Sequence, residues 1–491
     1  MINMVNIAVE NSSIPFEYPV YHFGAPNNKT FYLNMSNKPI VYHARRPDHV
    51  WREMFDRANW EQQLRGINRS HRRQFVLSHQ KMSGVNYYQS LSYGQMTSQL
   101  SCQNEFAKYR LAHNINRQQR LDKTYSIMPR SFVLPTHAKQ FKQFQKHNPN
   151  MWMIDKRSSG SLGYSIQVLR AKNVNLKSRN IRVVQEYLAD TVLFKNHKFD
   201  LRVYLLITSI DPLIAYVYND GYTKIAAKNY SYPTDSNHRD IGKHLTNVAQ
   251  SRLLPNVTEC KVYDDLEPQV GFDEVMEELF ANRQQFTDEK LFKMDNIQDF
   301  RNEFDSRMRS LFQKLMVAQQ KQMLQKDLQT GQTHKYPRKY YARYGADVMI
   351  LRDGSFKLIE VNRQPMQATT CNIQKRIAPK MIVDEFNLVG IPCVNNGTHI
   401  LNPTLNDKND KIKALQRKET YSIEQLKRME EIEFELLSEF EQRALMQIID
   451  EEQRIGNWHR IWPNDQRKYV EDMGRQTNLN WLAHLFTKSK K

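Results

Sequence analysis

Hydrophobic and polar positions follow two rhythms along this chain. Between residues 151 and 220, the runs MWMI, RVVQEYL, LRVYLLITSI and LIAYVYN are rich in β-branched and aromatic residues. Turn residues separate them, so they predict β-strands. Residues 345–362 return to the same rhythm. Residues 272–330 instead show amphipathic helical spacing, as does KQFKQFQKH at 139–147. Further on, Met429, Ile432, Leu436 and Phe440 recur at helical spacing and predict a packing face. A β-rich centre with helical flanks predicts an α+β fold with a helical C-terminal extension.

These shifts divide the chain into a polar, loose segment at 1–30, an N-terminal α/β region at 31–150 and a β-rich body at 151–395. A linker and a basic helical tail fill 396–491. The linker reading rests on NNGTHILNPTLNDKND, which has linker composition. The length, 491 residues, is roughly two to four domains' worth.

Composition narrows the class. With 40% hydrophobic and 11% aromatic residues the chain can bury sizeable cores. No run approaches the ~20 apolar residues of a membrane span. The start, MINMVNIAVENSS, lacks a basic stretch before an apolar core, so no secretory signal is expected. Cys102, Cys260, Cys371 and Cys393 lie far apart without a CxxC pair. That spacing argues against a zinc site and a disulfide framework, and for a cytosolic protein. The net charge of +19 suits a polyanionic partner: nucleic acid, an acidic protein surface or a nucleotide. A merely basic, soluble surface has the same signature.

Candidate chemistry appears first in GADVMILRDGSFKLIEVNRQP. Asp353-Gly354 is a strong hairpin signal, because a type I′ turn needs positive φ at both central residues. With a two-residue loop, Arg352 faces Ser355, Leu351 faces Phe356, Met349 faces Leu358 and Asp347 faces Glu360. Alternation then puts Asp347, Glu360 and Asn362 on one face with Met349, Leu351, Phe356 and Leu358. Two carboxylates over apolar neighbours repel unless a cation lies between them. Mg²⁺, which takes one or two carboxylates plus phosphates, suits such a pair, and the Asn362 amide adds an oxygen. A solvated strand end, or a bulge that shifts the register, is the alternative.

Two further stretches suit phosphate. DKRSSGSLGYSI, 155–166, is a Ser/Gly-rich loop between strand-like runs that opens with Lys156; it is not a Walker loop. Its backbone N–H groups and Lys156 can cover phosphates as a lid. In KFDLRVYLL, Lys198, Asp200 and Arg202 alternate and share one face where an apolar strand begins. That row is either a solvated edge or a site in which Arg202 stabilises charge on a transferring group.

Taken together, VVQEYL, KFDLRVYLLITSIDPLIAYVYNDG, HLTNVAQ and YGADVMILRDGSFKLIEVNRQP resemble the tubulin tyrosine ligase-like family, in order over roughly residues 30–395. The resemblance implies an ATP-grasp fold and an ATP-dependent ligase that joins an amino acid to a tubulin carboxylate. It implies ATP and Mg²⁺ as cofactors, with Asp347, Glu360 and Asn362 as magnesium ligands. It places Lys156, Leu162 and Gly163 in the phosphate lid, and Gln185, Glu186, Tyr187 and Leu188 on the adenine hinge. Lys198, Phe199, Asp200, Thr246, Asn247 and, on a looser alignment, Lys108 match nucleotide contacts. Arg202, with Lys198, takes the charge-stabilising catalytic role. Lys224, Val248 and Ala249 fall where the incoming amino acid is met.

The chain departs from the family pattern in places. Arg157 and Ser165 replace a proline and a glycine of the lid, and Arg363 a small residue. Lys224 and Val248-Ala249 stand where glutamate-adding members usually have arginine and Tyr-Ser. The segment IIDEEQRIGNWHRIWP is similar to one that follows the core in polyglutamylating members. The implied partners are therefore tubulin or microtubules, through their acidic tails, and free glutamate or glycine. Neither nucleic acid nor membrane is implied, and the implied location is the cytoskeleton, in cilium, axoneme or basal body. A tubulin glycylase, or a microtubule-binding structural protein with a weakened site, remains open.

Overall fold

The computed structural model describes residues 6–10, 20–24, 41–42, 61–62, 96–157, 166–247, 266–330, 340–363, 370–391, 420–427, 439–464 and 466–489, with single positions 251, 254, 257, 260 and 365. In the amino-terminal part, β1 (Asn6–Glu10) and β2 (Val20–Gly24) form an antiparallel pair inside the segment expected to be loose. Strands β3 (Val41–Tyr42) and β4 (Glu61–Gln62) pair in parallel. The linker stretch at 395–410 and the stripe at 429–440 lie outside the residues whose side chains are described.

From residue 108 the order is α1 (Lys108–Leu121), β5 (Ser131–Leu134), α2 (Ala138–His147), β6 (Trp152–Arg157), β7 (Ile166–Arg170) and β8 (Arg182–Glu186). Next come β9 (His197–Ile210), β10 (Leu213–Tyr218), β11 (Tyr222–Asn229), α3 (Phe272–Ala281) and α4 (Ile297–Thr330). The chain continues through β12 (Ala342–Ile350), β13 (Phe356–Arg363), α5 (Asn372–Val389), α6 (Glu439–Gln453), β14 (Trp458–Trp462) and α7 (Asn478–Ser489). Two antiparallel sheets dominate. The smaller has the order β5-β8-β6-β7 and is backed by α2 through Phe132, Phe141 and Phe144. The larger has the order β13-β12-β9-β10-β14, with β11 beside the amino-terminal half of β9.

Strand β9 organises the larger sheet. Its odd positions, Leu201, Val203, Leu205 and Ile207, join a core with Phe300, Phe304, Phe312 and Leu315 of α4. Its even positions Tyr204 and Leu206 join a second core with Ile377, Met381 and Phe386 of α5 and Trp458 of β14. Alternation along one strand thus feeds both layers. Toward its amino-terminal end the even row becomes Lys198, Asp200 and Arg202, so the charged row continues an apolar one.

The carboxyl-terminal residues differ from the expected helical extension. Strand β14 pairs with β10, from Ala215↔Trp462 to Tyr218↔Trp458, and completes the sheet. Glu451 of α6 accepts hydrogen bonds from Thr208 Oγ1 at 2.9 Å and Tyr216 Oη at 2.7 Å. The cysteine reading is also corrected: Cys260 and Cys371 are disulfide-bonded, with Cα atoms 5.4 Å apart, while Cys102 is free and buried. Residues 111 apart in sequence met in the fold, which spacing alone did not reveal. Among the described residues no helix is long and apolar enough to cross a membrane.

Candidate active site

The β12–β13 hairpin brings Asp347 opposite Glu360, although not by the count made from sequence. The loop has three residues, Arg352-Asp353-Gly354, closed by Gly354 N–H to Leu351 C=O, with Gly354 at φ +73°. This is the type I turn followed by a left-handed glycine rather than a type I′ turn. Every pair next to the turn therefore shifts by one: Ile350 faces Phe356, Met349 faces Lys357 and Val348 faces Leu358. A bulge between Asp347 and Val348 then sets both Ile359 and Glu360 against Asp347.

The two shifts cancel at the carboxylates but not for their neighbours. Phe356 and Leu358 belong to the core behind the hairpin, with Val348 and Ile350, and not to the face of Asp347. The bulge lets β13 bury Phe356 and Leu358 on one side and still present Glu360 and Asn362 on the other. Asn362 Nδ2 donates to Glu360 Oε1 at 3.1 Å and to Asp347 Oδ2 at 3.3 Å, so the three side chains converge.

Neighbouring strands carry cations to this place. Asp347 registers with Arg202 across β12–β9, and Lys224 of β11 registers with Asp200 of β9. Arg202 grips both Asp347 oxygens, Nε–Oδ1 at 2.7 Å and Nη2–Oδ2 at 3.3 Å. Lys224 Nζ lies 2.8 Å from Asp347 Oδ2 and 3.0 Å from Asp200 Oδ1. Lys108, the first residue of α1, reaches Glu360 Oε2 at 3.1 Å. Thr246 Oγ1 donates to Asp200 Oδ2.

Burial and charge shape the ionisation. Burial opposes ionisation of Asp347, but Arg202 and Lys224 outweigh it and hold the group well below the usual carboxylate range. Burial and Asp347 likewise oppose ionisation of Glu360, but Lys108, with Lys156 and Lys224, outweighs them and lowers its pKa. Asp200 moves up to about 6, because burial exceeds the pull of Lys224. Burial lowers Lys156 to about 8 and Lys198 to about 7.

Residues 185–188 and Lys156 lie close to the same charged row. Lys156 Nζ donates to Gln185 Oε1 at 3.0 Å, and Gln185 Nε2 donates to Ser131 Oγ at 2.9 Å. Lys198 Nζ donates to the Leu188 carbonyl and sits 3.8 Å above the Tyr187 ring and 5.2 Å from that of Tyr230. Glu186 is half-buried at the end of β8; its main-chain N–H donates to the Arg130 carbonyl. Asn247 accepts through its carbonyl from Ser251 N–H. Phe199 departs from the expected contact: its side chain lies in the core on the opposite face of β9. Arg363 points outward to Asn104. Leu162, Gly163, Ser165, Val248 and Ala249 lie outside the described residues.

Three contributors escaped the sequence reading. Ser131 anchors Gln185, Tyr230 flanks Lys198, and His244 packs edge-on to Tyr230 with Nδ1 2.9 Å from Tyr187 Oη. His244 opens the HLTN stretch, so its position was visible, but nothing in the pattern joined it to Tyr187.

A sequence model of the tubulin-tyrosine ligase family matches residues 89–399. The chain belongs to the tubulin-tyrosine ligase family. Among curated relatives, tubulin polyglutamylase TTLL7 of Xenopus tropicalis is 24% identical over 419 residues, covering 81% of this chain and 43% of that protein. Tubulin polyglutamylase ttll6 of Danio rerio is 26% identical over 283 residues, 57% of this chain and 34% of that protein. Tubulin polyglutamylase TTLL13 of Mus musculus is 34% identical over 147 residues, 30% of this chain and 18% of that protein. The chain thus spans less than half the length of each of these relatives.

The polar cluster suits a hard dication. Its donors are two carboxylates and an amide, all able to offer oxygen, among the cations Lys108, Arg202 and Lys224. Among the described residues no group of three or more His, Cys, Asp and Glu could hold a metal by itself. A site of one or two carboxylates is completed by phosphate oxygens, which is the usual Mg²⁺–nucleotide arrangement.

Proposed function

We propose that this family member is an ATP-dependent carboxylate–amine ligase of ATP-grasp architecture. It adds glutamate through isopeptide bonds to side-chain carboxylates of acidic tubulin tails. One observation carries the reading: Asp347, Glu360 and Asn362 converge beside the Lys198-Asp200-Arg202 row at one end of β9. Such a cluster of mutually paired, largely buried charges is costly to keep without a polyanionic ligand.

The roles follow from chemistry and placement. Asp347, Glu360 and Asn362 would hold Mg²⁺, which when bound neutralises phosphate oxygens. Lys156 and Lys198 offer ammonium groups to the nucleotide, and the main chain from Gln185 to Leu188 borders the adenine. A tail carboxylate attacks the γ-phosphorus of ATP, ADP departs, and Arg202 stabilises the acyl phosphate. The free amino acid's amine then displaces inorganic phosphate and loses its proton as the isopeptide bond forms. Most of the rate comes from positioning and electrostatics. The charge of +19 favours an acidic polypeptide partner, and the proposed location is the cytoskeleton.

The test is incubation with microtubules, ATP, Mg²⁺ and radiolabelled glutamate or glycine, alongside Glu360→Gln. Glutamate label that depends on Glu360 supports the proposal, and glycine label alone redirects it to a glycylase. Microtubule binding with no incorporation of either amino acid leaves only a scaffold.

A further inference from the structure

Register sets Lys224 opposite Asp200, but its ammonium reaches past that partner to Asp347. Its ammonium lies between two side chains that are almost fully buried, Asp200 and Asp347, at 3.0 and 2.8 Å. Asp347 is already gripped at both oxygens by Arg202, so its charge is balanced before Lys224 adds to it. Glu360 and Asn362, the groups that a dication would share with Asp347, adjoin it as well, and Asn362 contacts the same Oδ2 as Lys224.

We propose that Lys224 is a tethered counter-ion that competes with the dication for Asp347. A metal arriving between Asp347 and Glu360 places two positive charges next to the ammonium, and like charges at such range repel strongly in a buried site. A lysine suits the role, being a compact point charge on a flexible four-carbon stem that can swing away. An arginine fork would lock onto Asp347 as Arg202 does. Lys224 thereby keeps Asp200 and Asp347 from repelling each other and sets how much free metal is needed to load the site. The inference rests on the ligase reading, through the assignment of Asp347 as a metal ligand.

The experiment uses the full chain, with Mn²⁺ as probe and free ion counted by its paramagnetic resonance signal. ADP binding in excess Mg²⁺ is followed in parallel by calorimetry. Lys224→Met and Lys224→Gln should each bind Mn²⁺ at least about five-fold more tightly than wild type, and Lys224→Arg should not. Wild-type protein gives a measure independent of variant folding. Brief acetylation by an N-hydroxysuccinimide ester, read by mass spectrometry, should label Lys224 several-fold faster once Mn²⁺ is added, while Lys228 stays constant. ADP binding combined with unchanged Mn²⁺ affinity in the neutral variants, or with unchanged Lys224 labelling, overturns the competition and leaves the ligase reading standing. Failure of wild type to bind ADP at any Mg²⁺ concentration removes the ligase reading, and the competition with it.

Discussion

Asp347 and Glu360 face each other across a hairpin because β13 carries one residue more than β12 at that point, so Ile359 and Glu360 both oppose Asp347. The extra residue changes which side of the strand points to the core. Phe356 and Leu358 stay buried, and the carboxylate emerges on the opposite face beside Lys108.

Glu360→Gln keeps the shape and hydrogen bonding of that side chain and removes its charge. Lys108 then loses its ionic partner, and a dication loses one of two carboxylates. Replacing groups that merely orient metal ligands costs about 10–100-fold, so a ligand itself should cost at least about 100-fold in ligation rate. Circular dichroism should show an unchanged fold. A variant with more than a third of wild-type activity would remove Glu360 from the metal site.

Nucleotide binding should take up protons at alkaline pH. Burial leaves Lys198 at about 7 and Lys156 at about 8 in the free protein, so at pH 8.5 both are largely neutral. A nearby phosphate favours the ammonium forms and raises both values. Calorimetry of ADP binding at pH 8.5, in buffers of different ionisation enthalpy, should report net uptake that vanishes by pH 6. Lys198→Arg, which stays charged throughout, should reduce it. Uptake of zero at pH 8.5 would show that neither lysine meets phosphate. The same burial has a sign for stability: the unfolded chain binds more protons above pH 7, so this contribution to stability rises with pH toward the ordinary lysine value.

What the sequence disclosed followed from its periodicities, and what it withheld followed from non-local contacts. The even row Lys198-Asp200-Arg202 was legible because a strand repeats every two residues. The pairing of Asp347 with Glu360 is legible only because a third loop residue and a bulge offset each other. Neither Phe356 nor Leu358 could be assigned to the correct face without the bulge. The same alternation that puts Lys198 and Asp200 on the charged face sends the Phe199 side chain into the core. The bridge from Cys260 to Cys371, the Tyr187–His244 contact and the joining of β14 to β10 depend on residues far apart, which local patterns do not encode.

Arg343 of β12 and Glu385 of α5 form an ion pair with both side chains under 5% exposed. Burial raises the carboxyl above its usual range despite the guanidinium. Arg343→Met strands a buried acid and should cost about 3–5 kcal/mol in urea unfolding. The penalty should shrink as the pH falls, because burial without the guanidinium makes the stranded Glu385 easier to protonate. Arg343→Met combined with Glu385→Leu should recover most of the loss, since an apolar pair of similar volume replaces buried charges at little cost. A single-variant cost under about 1 kcal/mol would show that water reaches the pair.

Trp458 tests whether the carboxyl-terminal segment is part of the fold or an appendage for docking. Its ring packs 4.9 Å from that of Tyr218 at 63°, and its strand supplies the hydrogen-bonding edge that β10 would otherwise expose. Nearby, Arg454 Nε donates to the Asn387 carbonyl at 2.7 Å, and Asn480 Oδ1 accepts from Leu213 N–H at 3.0 Å. Trp458→Ala should therefore cost about 3–5 kcal/mol, the usual range for a buried aromatic. A chain ending at residue 438 should fail to give soluble, cooperatively melting protein, because it bares the β10 edge and removes Glu451, the acceptor of the buried Thr208 and Tyr216 hydroxyls. If the shortened chain instead melts like the full one and loses only microtubule binding, the segment is a docking element. Lost ligation in a truncation that also lowers the melting temperature is a folding defect, and surface-charge variants at exposed His459 are needed to probe docking by itself.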